Sequence, residues 1–256
     1  MTQTNHPKIG YLLPTRERIM RGEPGTQFFF DMAERAESLG FDSLWVGDSL
    51  LAKPRHDPLT LLAAIAARTD RVNLGTAVLL PALRNPVILA HQVATLDQIS
   101  EGRLILGVGI AGDWPRIKAE FAAAGVPFEK RVGRMMELLR LCKALWSGKP
   151  VSWDGRWKVV DGVLAPTPYR AGGPPIWNGS IVRAGLERTG RNFDGWFPTG
   201  PNVQTFKERW ADLQAIVRAA DRPDDAVAPA VYLTASIDNN EARANVSINS
   251  YLEDYY

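Results

Sequence analysis

Three short stretches of this sequence combine residue types that could do chemistry. Gly107-Val108-Gly109-Ile110-Ala111-Gly112 has the spelling of a dinucleotide fingerprint and follows an apolar run. Glycines in such a turn let the backbone approach a pyrophosphate, which a following helix N-terminus then holds. Asp113-Trp114-Pro115 interrupts the helix that this reading needs, and the acidic residue expected after a next strand is absent, because the region around Arg131 reads as helix. The plainer reading is a tight glycine turn beneath a ligand. Asn178-Gly179-Ser180 joins a strand to a helix. Amides at a helix start attract phosphate, which would sit on Gly179 to Ile181, but a simple cap by Ser180 uses the same residues. Asp48-Ser49 and Thr199 each follow a strand candidate. Asp48 and Thr199 are therefore the catalytic candidates, although polar residues at strand ends are also ordinary turn formers.

Other chemistries find no residues. His6, His56 and His91 share no metal-ligand spacing, and the single cysteine, Cys142, lies in the helical run Met135-Met136-Glu137-Leu138-Leu139-Arg140-Leu141-Cys142 as a buried structural thiol. There is no Gly-x-Ser-x-Gly nucleophile turn. A chain with neither metal cluster nor nucleophile commonly delegates its chemistry to a cofactor. Arg131, Arg134 and Glu137 recur at helical spacing and read as surface or helix-packing ion pairs.

The elements that must position these residues alternate regularly. Lys8 to Leu13 reads as a strand stopped by Pro14, and Thr26 to Leu39 as a helix ended by Gly40. Strands follow at Ser43 to Val46, Val72 to Leu79 and Arg103 to Val108, separated by helices over Leu59 to Arg68 and Val87 to Ile99. Asp57-Pro58 and Asn85-Pro86 open these two helices: the side-chain oxygen accepts an orphan amide, and proline has none to lose. A longer helix covers Phe128 to Trp146. Val151 to Val159 then alternates apolar and polar residues around Asp154-Gly155, the pattern of a hairpin, and a Pro- and Gly-rich loop runs from Ala165 to Pro175. The alternation resumes with strands at Pro175 to Asn178, Asp194 to Phe197 and Val227 to Ser236, and helices at Ser180 to Thr189, Val203 to Ala219 and Asn240 to Tyr251.

Apolar strands alternating with helices specify an α/β protein with a parallel sheet. About seven strand–helix units point to the eight-unit (β/α)8 barrel of TIM type. No compositional shift divides residues 1–256, so we expect a single barrel domain with a hairpin insertion near 151–174. A closed barrel needs eight strands, and a gap leaves unpaired edges. Either the last βα unit is missing after Tyr256, with free edges on the first and seventh strands, or an uncounted short strand closes the barrel.

Composition narrows the partners. Hydrophobic residues make up 45% and charged residues 23%, the balance of a soluble globular protein, and 30 basic against 28 acidic residues leave a formal charge of +2. No basic stripe suits nucleic acid, no apolar run spans a bilayer, and the polar N-terminus lacks a signal peptide. Together with the lone thiol, this suggests the cytoplasm.

Ser43-Leu44-Trp45-Val46-Gly47-Asp48 and Leu74-Gly75-Thr76-Ala77-Val78 resemble the second and third strands of the luciferase-like monooxygenase family. The densest match runs from Gln92 through Asp97, Glu101, Gly102 and Arg103 into Leu106-Gly107-Val108-Gly109. Pro175-Ile176-Trp177-Asn178-Gly179-Ser180 and Phe193-Asp194-Gly195-Trp196 follow in order and spacing, so the resemblance covers nearly the whole chain.

The resemblance implies a barrel that holds FMN or, in one branch, the deazaflavin coenzyme F420. It carries a non-proline cis peptide supporting the flavin ring over to Ala77-Val78, with Gly109 nearby. The phosphate site carries over to Gly179, Ser180 and Ile181, with Asn178 beside it. The activity implied first is that of a flavin-dependent monooxygenase. Reduced FMN and oxygen would form a flavin hydroperoxide that oxygenates a small organic substrate. A separate flavin reductase would supply the reduced flavin, and a homodimer is expected. The alternatives are an F420-dependent dehydrogenase or reductase transferring hydride, and a flavin-binding protein without turnover. Two positions depart from the family pattern: the arginine that luciferase places near Ile110 is missing, and Ser49 stands where deazaflavin enzymes often carry His.

Overall fold

A computed structural model of the chain describes residues 6–255. They form two compact units, one ending at Ile176 and one beginning at Trp177.

In the first unit, strands β1 (Gly10–Leu12), β2 (Ser43–Val46), β3 (Asn73–Thr76) and β4 (Leu104–Val108) pair in that order, all parallel. Parallel strands are covered on both faces, which is why they read as near-continuous apolar runs. Leu44, Val46, Leu74, Leu104, Leu106 and Val108 are fully buried. The helices are α1 (Thr15–Met20), α2 (Gln27–Ser38), α3 (Pro58–Ala66), α4 (Pro86–Ile99), α5 (Pro115–Ala123) and α6 (Arg131–Leu145), the last preceded by a 3-10 turn at Phe128–Lys130. The two expected caps form: Asp57 Oδ1 accepts the Thr60 amide at 2.9 Å, and Asn85 Oδ1 accepts the Val87 amide at 2.9 Å. Pro115 does not break a helix. It starts α5, at the first helical position, where proline loses no hydrogen bond.

Packing on β2 explains two glycines. Trp45 stands in register with Gly75 on β3, and a Cβ on Gly75 would lie 2.2 Å from the indole ring. A Cβ on Gly10 of β1 would meet Trp45 Nε1 and Ser43 Oγ at 2.5 Å. The indole occupies space that only two side-chain-free neighbours leave, and it donates to Ser43 Oγ at 2.8 Å.

Strand β3 stops at Thr76, three residues short of the expected end. The Ala77–Val78 peptide is cis, as the family resemblance implies. The chain then returns to β4: Leu79 bridges Val108, donating to the Gly107 carbonyl at 2.7 Å and accepting from Gly109 at 2.9 Å.

The hairpin pairs β5 (Val151–Asp154) with β6 (Lys158–Gly162), antiparallel around Gly155. The loop after it is held by α4, where Asp97 Oδ2 accepts the Arg170 amide at 2.9 Å and Gln98 donates to the Thr167 carbonyl at 2.9 Å.

In the second unit, β7 (Ile176–Asn178), whose first residue closes the first unit, pairs in parallel with β8 (Gly195–Trp196), and β8 with β9 (Ala228–Pro229). The helices are α7 (Arg183–Asn192), α8 (Val203–Ala219) and α9 (Glu241–Tyr255). Trp196 anchors this core, stacked on Phe206 and Trp210 at 5.0 and 6.1 Å and surrounded by Leu186, Leu213 and Val217. The strand expected over 227–236 is two residues long, Ala228–Pro229. Beyond it the pairing continues through the Ala230 amide on the Trp196 carbonyl at 2.9 Å and a bridge between Thr199 and Tyr232.

Seven parallel strands are thus present among the described residues, alternating with helices as the α/β barrel order requires. Within their units β1 pairs with β2 alone, and β9 with β8 alone.

Candidate functional site

In parallel α/β architectures the chemistry gathers at the carboxyl ends of the strands. In the first unit these ends are tied together by charged side chains acting on backbone. Asp48, directly after β2, does not present an open carboxylate. Its Oδ2 accepts the Leu80 amide at 2.9 Å and Arg84 Nη1 at 2.5 Å, and its Oδ1 accepts Arg84 Nη2 at 3.0 Å. Asp48 therefore links the end of β2 to the segment following the Ala77–Val78 bond.

Ser49 is also engaged. Its hydroxyl donates to Glu120 Oε1 at 2.7 Å and accepts the Lys53 amide at 2.9 Å. Glu120 lies on α5 and is 2% exposed. Burial pushes its carboxyl up, but the amides of Leu51, Ala52 and Leu50 and the Ser49 hydroxyl outweigh this and hold it below the usual carboxylate range.

Helix α6 braces the same region. Arg131 donates from Nε to the Ile110 carbonyl at 3.0 Å and lies 3.7 Å over the Phe128 ring. Arg134 donates from Nε to the Ala82 carbonyl at 2.7 Å and stacks 4.7 Å over Trp157 of the hairpin. Burial, followed by repulsion from Arg156, lowers the Arg134 pKa. Glu137 accepts both the Arg156 amide, at 2.7 Å, and its guanidinium. The three residues are thus not a surface ladder of ion pairs. Arg131 fixes the segment after β4, Arg134 the turn after the cis peptide, and Glu137 the hairpin tip.

Two glycines of the Gly107–Gly112 stretch serve close approach to the end of β3 and the residues after it, while Gly112 makes room for the Trp114 indole. A Cβ on Gly107 would lie 2.0 Å from the Thr76 carbonyl oxygen, and one on Gly109 would lie 2.5 Å from Val78 Cγ2. Gly109 therefore abuts the Val78 side chain, beside the cis peptide. Cys142 is buried, its thiol pushed up to about 12 by desolvation, and it is no nucleophile.

In the second unit, Asn178 is buried and spends its amide on α7, donating to Thr189 Oγ1 at 2.8 Å and the Gly185 carbonyl at 3.4 Å. Ser180 is not a helix cap. Helix α7 starts at Arg183 after Val182, with no side-chain cap, whereas Asn202 caps α8 through the Thr205 amide at 2.8 Å. The Ser180 carbonyl accepts Trp196 Nε1 at 2.9 Å, and its hydroxyl occupies the position a Gly185 side chain would need, 1.8 Å from a Cβ built there. Asn178, Ser180 and Trp196 thus hold the Gly179–Ile181 segment against α7, whose first-turn amides have no side-chain acceptor. Those donors suit the phosphate of a flavin-type cofactor. Thr199 is exposed and lies in the bridge to Tyr232.

Sequence reasoning missed Arg84 and Glu120. Their partners lie 36 and 68–71 residues away, and no local spacing encodes such contacts.

The profile of the luciferase-like monooxygenase family matches residues 7–256. The chain belongs to this family. Among curated relatives, the F420-dependent glucose-6-phosphate dehydrogenase of Nocardia farcinica is 33% identical over 72% of this chain and 57% of its own. The 5,10-methylenetetrahydromethanopterin reductase of Methanolobus tindarius is 31% identical over 83% of this chain and 62% of its own. The chain thus spans about three fifths of the length of these relatives. Among solved structures, the monooxygenase RslO1 of Streptomyces bottropensis superposes with a TM-score of 0.84 at 24% identity, over 96% of this chain and 77% of that one. This family is one of oxidoreductases, and the barrel-type fold expected from the strand–helix alternation is the fold shared with that structure.

Proposed function

We propose that this chain is a two-electron oxidoreductase that works with a flavin-type cofactor. In the first unit, taken by itself, Ala77, Val78 and Gly109 are the proposed ring support; in the second, taken by itself, the amides of Gly179, Ser180 and Ile181 and the first turn of α7 are the proposed phosphate donors, with Asn178 as their brace. The observation that carries this reading is the helix start at Arg183. It lacks a side-chain cap, and its approach is fixed by Asn178, Ser180 and Trp196. Preorganised amides bind an anion without reorganisation.

Coenzyme F420 is the first reading, supported by the relatives at 31–33% identity, one of them an F420-dependent dehydrogenase by name. When bound, F420 would supply hydride transfer to or from a small organic substrate. The chain's own residues would orient it and exclude water, while Asp48 and Glu120 act on loops and not on the reacting atoms. FMN-dependent monooxygenation is the second reading. It is favoured by Ser49, whose hydroxyl is committed to Glu120 where deazaflavin enzymes often carry His. Under it the chain would need oxygen and a separate reductase. We propose a homodimer under both.

Titrating the purified chain with F420, FMN and reduced FMN tests the reading. Saturable F420 binding, with hydride exchange in the absence of oxygen, supports the first. Oxygen consumption with reduced FMN supports the second. Binding without turnover over a broad substrate panel would make the chain a flavin-binding protein, and binding of neither cofactor would overturn the proposal.

A further inference from the structure

One carboxylate oxygen in the first unit gathers four donors from four consecutive residues. Glu120 Oε1 accepts the Ser49 hydroxyl at 2.7 Å and the amides of Leu50, Leu51 and Ala52 at 2.5, 2.7 and 3.1 Å. Successive amides converging on one point form an anion-binding nest. Here the anion is the chain's own side chain, delivered from α5. Ser49 closes the turn by also accepting the Lys53 amide at 2.9 Å.

This arrangement is not a device for burying apolar surface. Leu50 and Leu51, whose amides are clamped, are 48% and 72% exposed. Glu120 itself is buried, so ionising it there costs desolvation that the four donors must offset. What the contact fixes is backbone at the carboxyl end of β2. The clamp also reaches further. Asp48 precedes Ser49 and holds the Leu80 amide at 2.9 Å and Arg84 through both oxygens. Leu79, beside it, bridges Val108 of β4. Two carboxylates therefore join the segments after β2 and β3 to the helix after β4, beside Ala77, Val78 and Gly109.

We infer that Glu120 is a positioning residue of the cofactor site, acting through the Ser49–Ala52 turn and Asp48 on the backbone that follows Val78. The inference rests on the proposed function for the identity of the site, but its mechanical part stands on the free protein.

The experiment compares the full chain with its Glu120→Ala and Glu120→Gln variants by amide hydrogen exchange without cofactor, and by titration with F420 and FMN. In E120A the amides of Leu50, Leu51, Ala52 and Leu80 should exchange about tenfold faster or more, with β4 unchanged. Affinity for the cofactor that the wild type binds should fall by about tenfold. E120Q keeps an acceptor oxygen and should recover most of both losses. If E120A fails to fold, E120Q against wild type still reads the charge-assisted part. Unchanged Leu80 exchange, equal affinity in all three chains, or protection lost evenly across β4 and α4 would each overturn the inference. If the wild type binds neither cofactor, the proposed function fails, while the exchange comparison still decides whether Glu120 orders the segment around Leu80.

Discussion

Asp48 and Arg84 form a bidentate pair, Oδ2 to Nη1 at 2.5 Å and Oδ1 to Nη2 at 3.0 Å, with the Asp48 side chain 2% and the Arg84 side chain 13% exposed. A pair this buried gives little net stability over an apolar substitute, but removing one partner strands the other. Asp48→Asn or Arg84→Met should therefore cost about 3 kcal/mol in urea unfolding. A catalytic carboxylate would behave differently, losing turnover while the unfolding midpoint stayed in place. D48N with unchanged stability would show that the pair is not the reason for Asp48.

The sequence made the local features of this region legible and left the long-range ones hidden. The caps at Asp57 and Asn85 and the strands at Ser43–Val46 and Leu104–Val108 follow from side-chain chemistry within four residues or from apolar runs. Helix α5 was misread because Pro115 both starts helices and ends them, and only its neighbours in space decide which. The short strands β8 and β9, two residues each, carry too little periodicity to bound. At the proposed site, Gly179 and Ser180 could be picked out by a strand–helix junction. That Ser180 fills the space beside Gly185 depends on how α7 folds back, and no spacing reports it.

Two buried carboxylates should respond to acid in opposite senses. Glu120 is held below its ordinary 4.5 by the four donors it accepts, so the unfolded chain binds the proton more tightly. Its contribution is complete above 4.5 and is lost as pH falls through the folded value. Asp97 is raised above its ordinary 3.8, chiefly by burial, so its stabilising effect is largest at low pH and fades as pH rises through the folded value. The stability difference between wild type and E120Q should hold from about pH 7 to about pH 4.5 and shrink as pH falls further, whereas D97N should gain on wild type as pH rises from about 4. Parallel pH profiles for the two variants would contradict this assignment.

Arg134 combines a hydrogen bond to the Ala82 carbonyl at 2.7 Å with stacking at 4.7 Å over Trp157. Lysine reproduces the charge but neither the directed Nε donor nor the flat face. Arg134→Lys should cost about 1–2 kcal/mol by thermal or urea unfolding and should speed amide exchange in the 81–84 turn. A variant as stable as wild type, with that turn equally protected, would mean that the guanidinium contact contributes nothing.

Gly179 immediately precedes the Ser180 and Ile181 amides proposed to bind the anion, and a bulky side chain there would restrict the anion's approach. Gly179→Val should weaken binding of the preferred cofactor by about tenfold or more while leaving the unfolding midpoint within about 1 kcal/mol of wild type. Unchanged affinity would remove this segment from the binding site.

The last prediction separates the shape of that segment from its chemistry. A Cβ on Gly185 would lie 1.8 Å from Ser180 Oγ and 2.3 Å from Ser180 Cβ, but 3.6 Å from Ser180 Cα. Gly185→Ala must therefore push the Ser180 side chain aside. Ser180 cannot move freely, because its carbonyl accepts Trp196 Nε1 at 2.9 Å in the core of the second unit. The single variant should lose about 1–3 kcal/mol of stability and bind cofactor more weakly, because the amides of Gly179–Ile181 are displaced. Removing the obstacle reverses this. In the Ser180→Gly, Gly185→Ala double variant only the ordinary 3.6 Å contact remains, so stability and affinity should return toward those of Ser180→Gly alone. A double-mutant cycle on both readouts tests the argument. Additive losses would mean that the two residues do not share this space, and an affinity loss already present in Ser180→Gly alone would mean that the serine hydroxyl itself contacts the ligand.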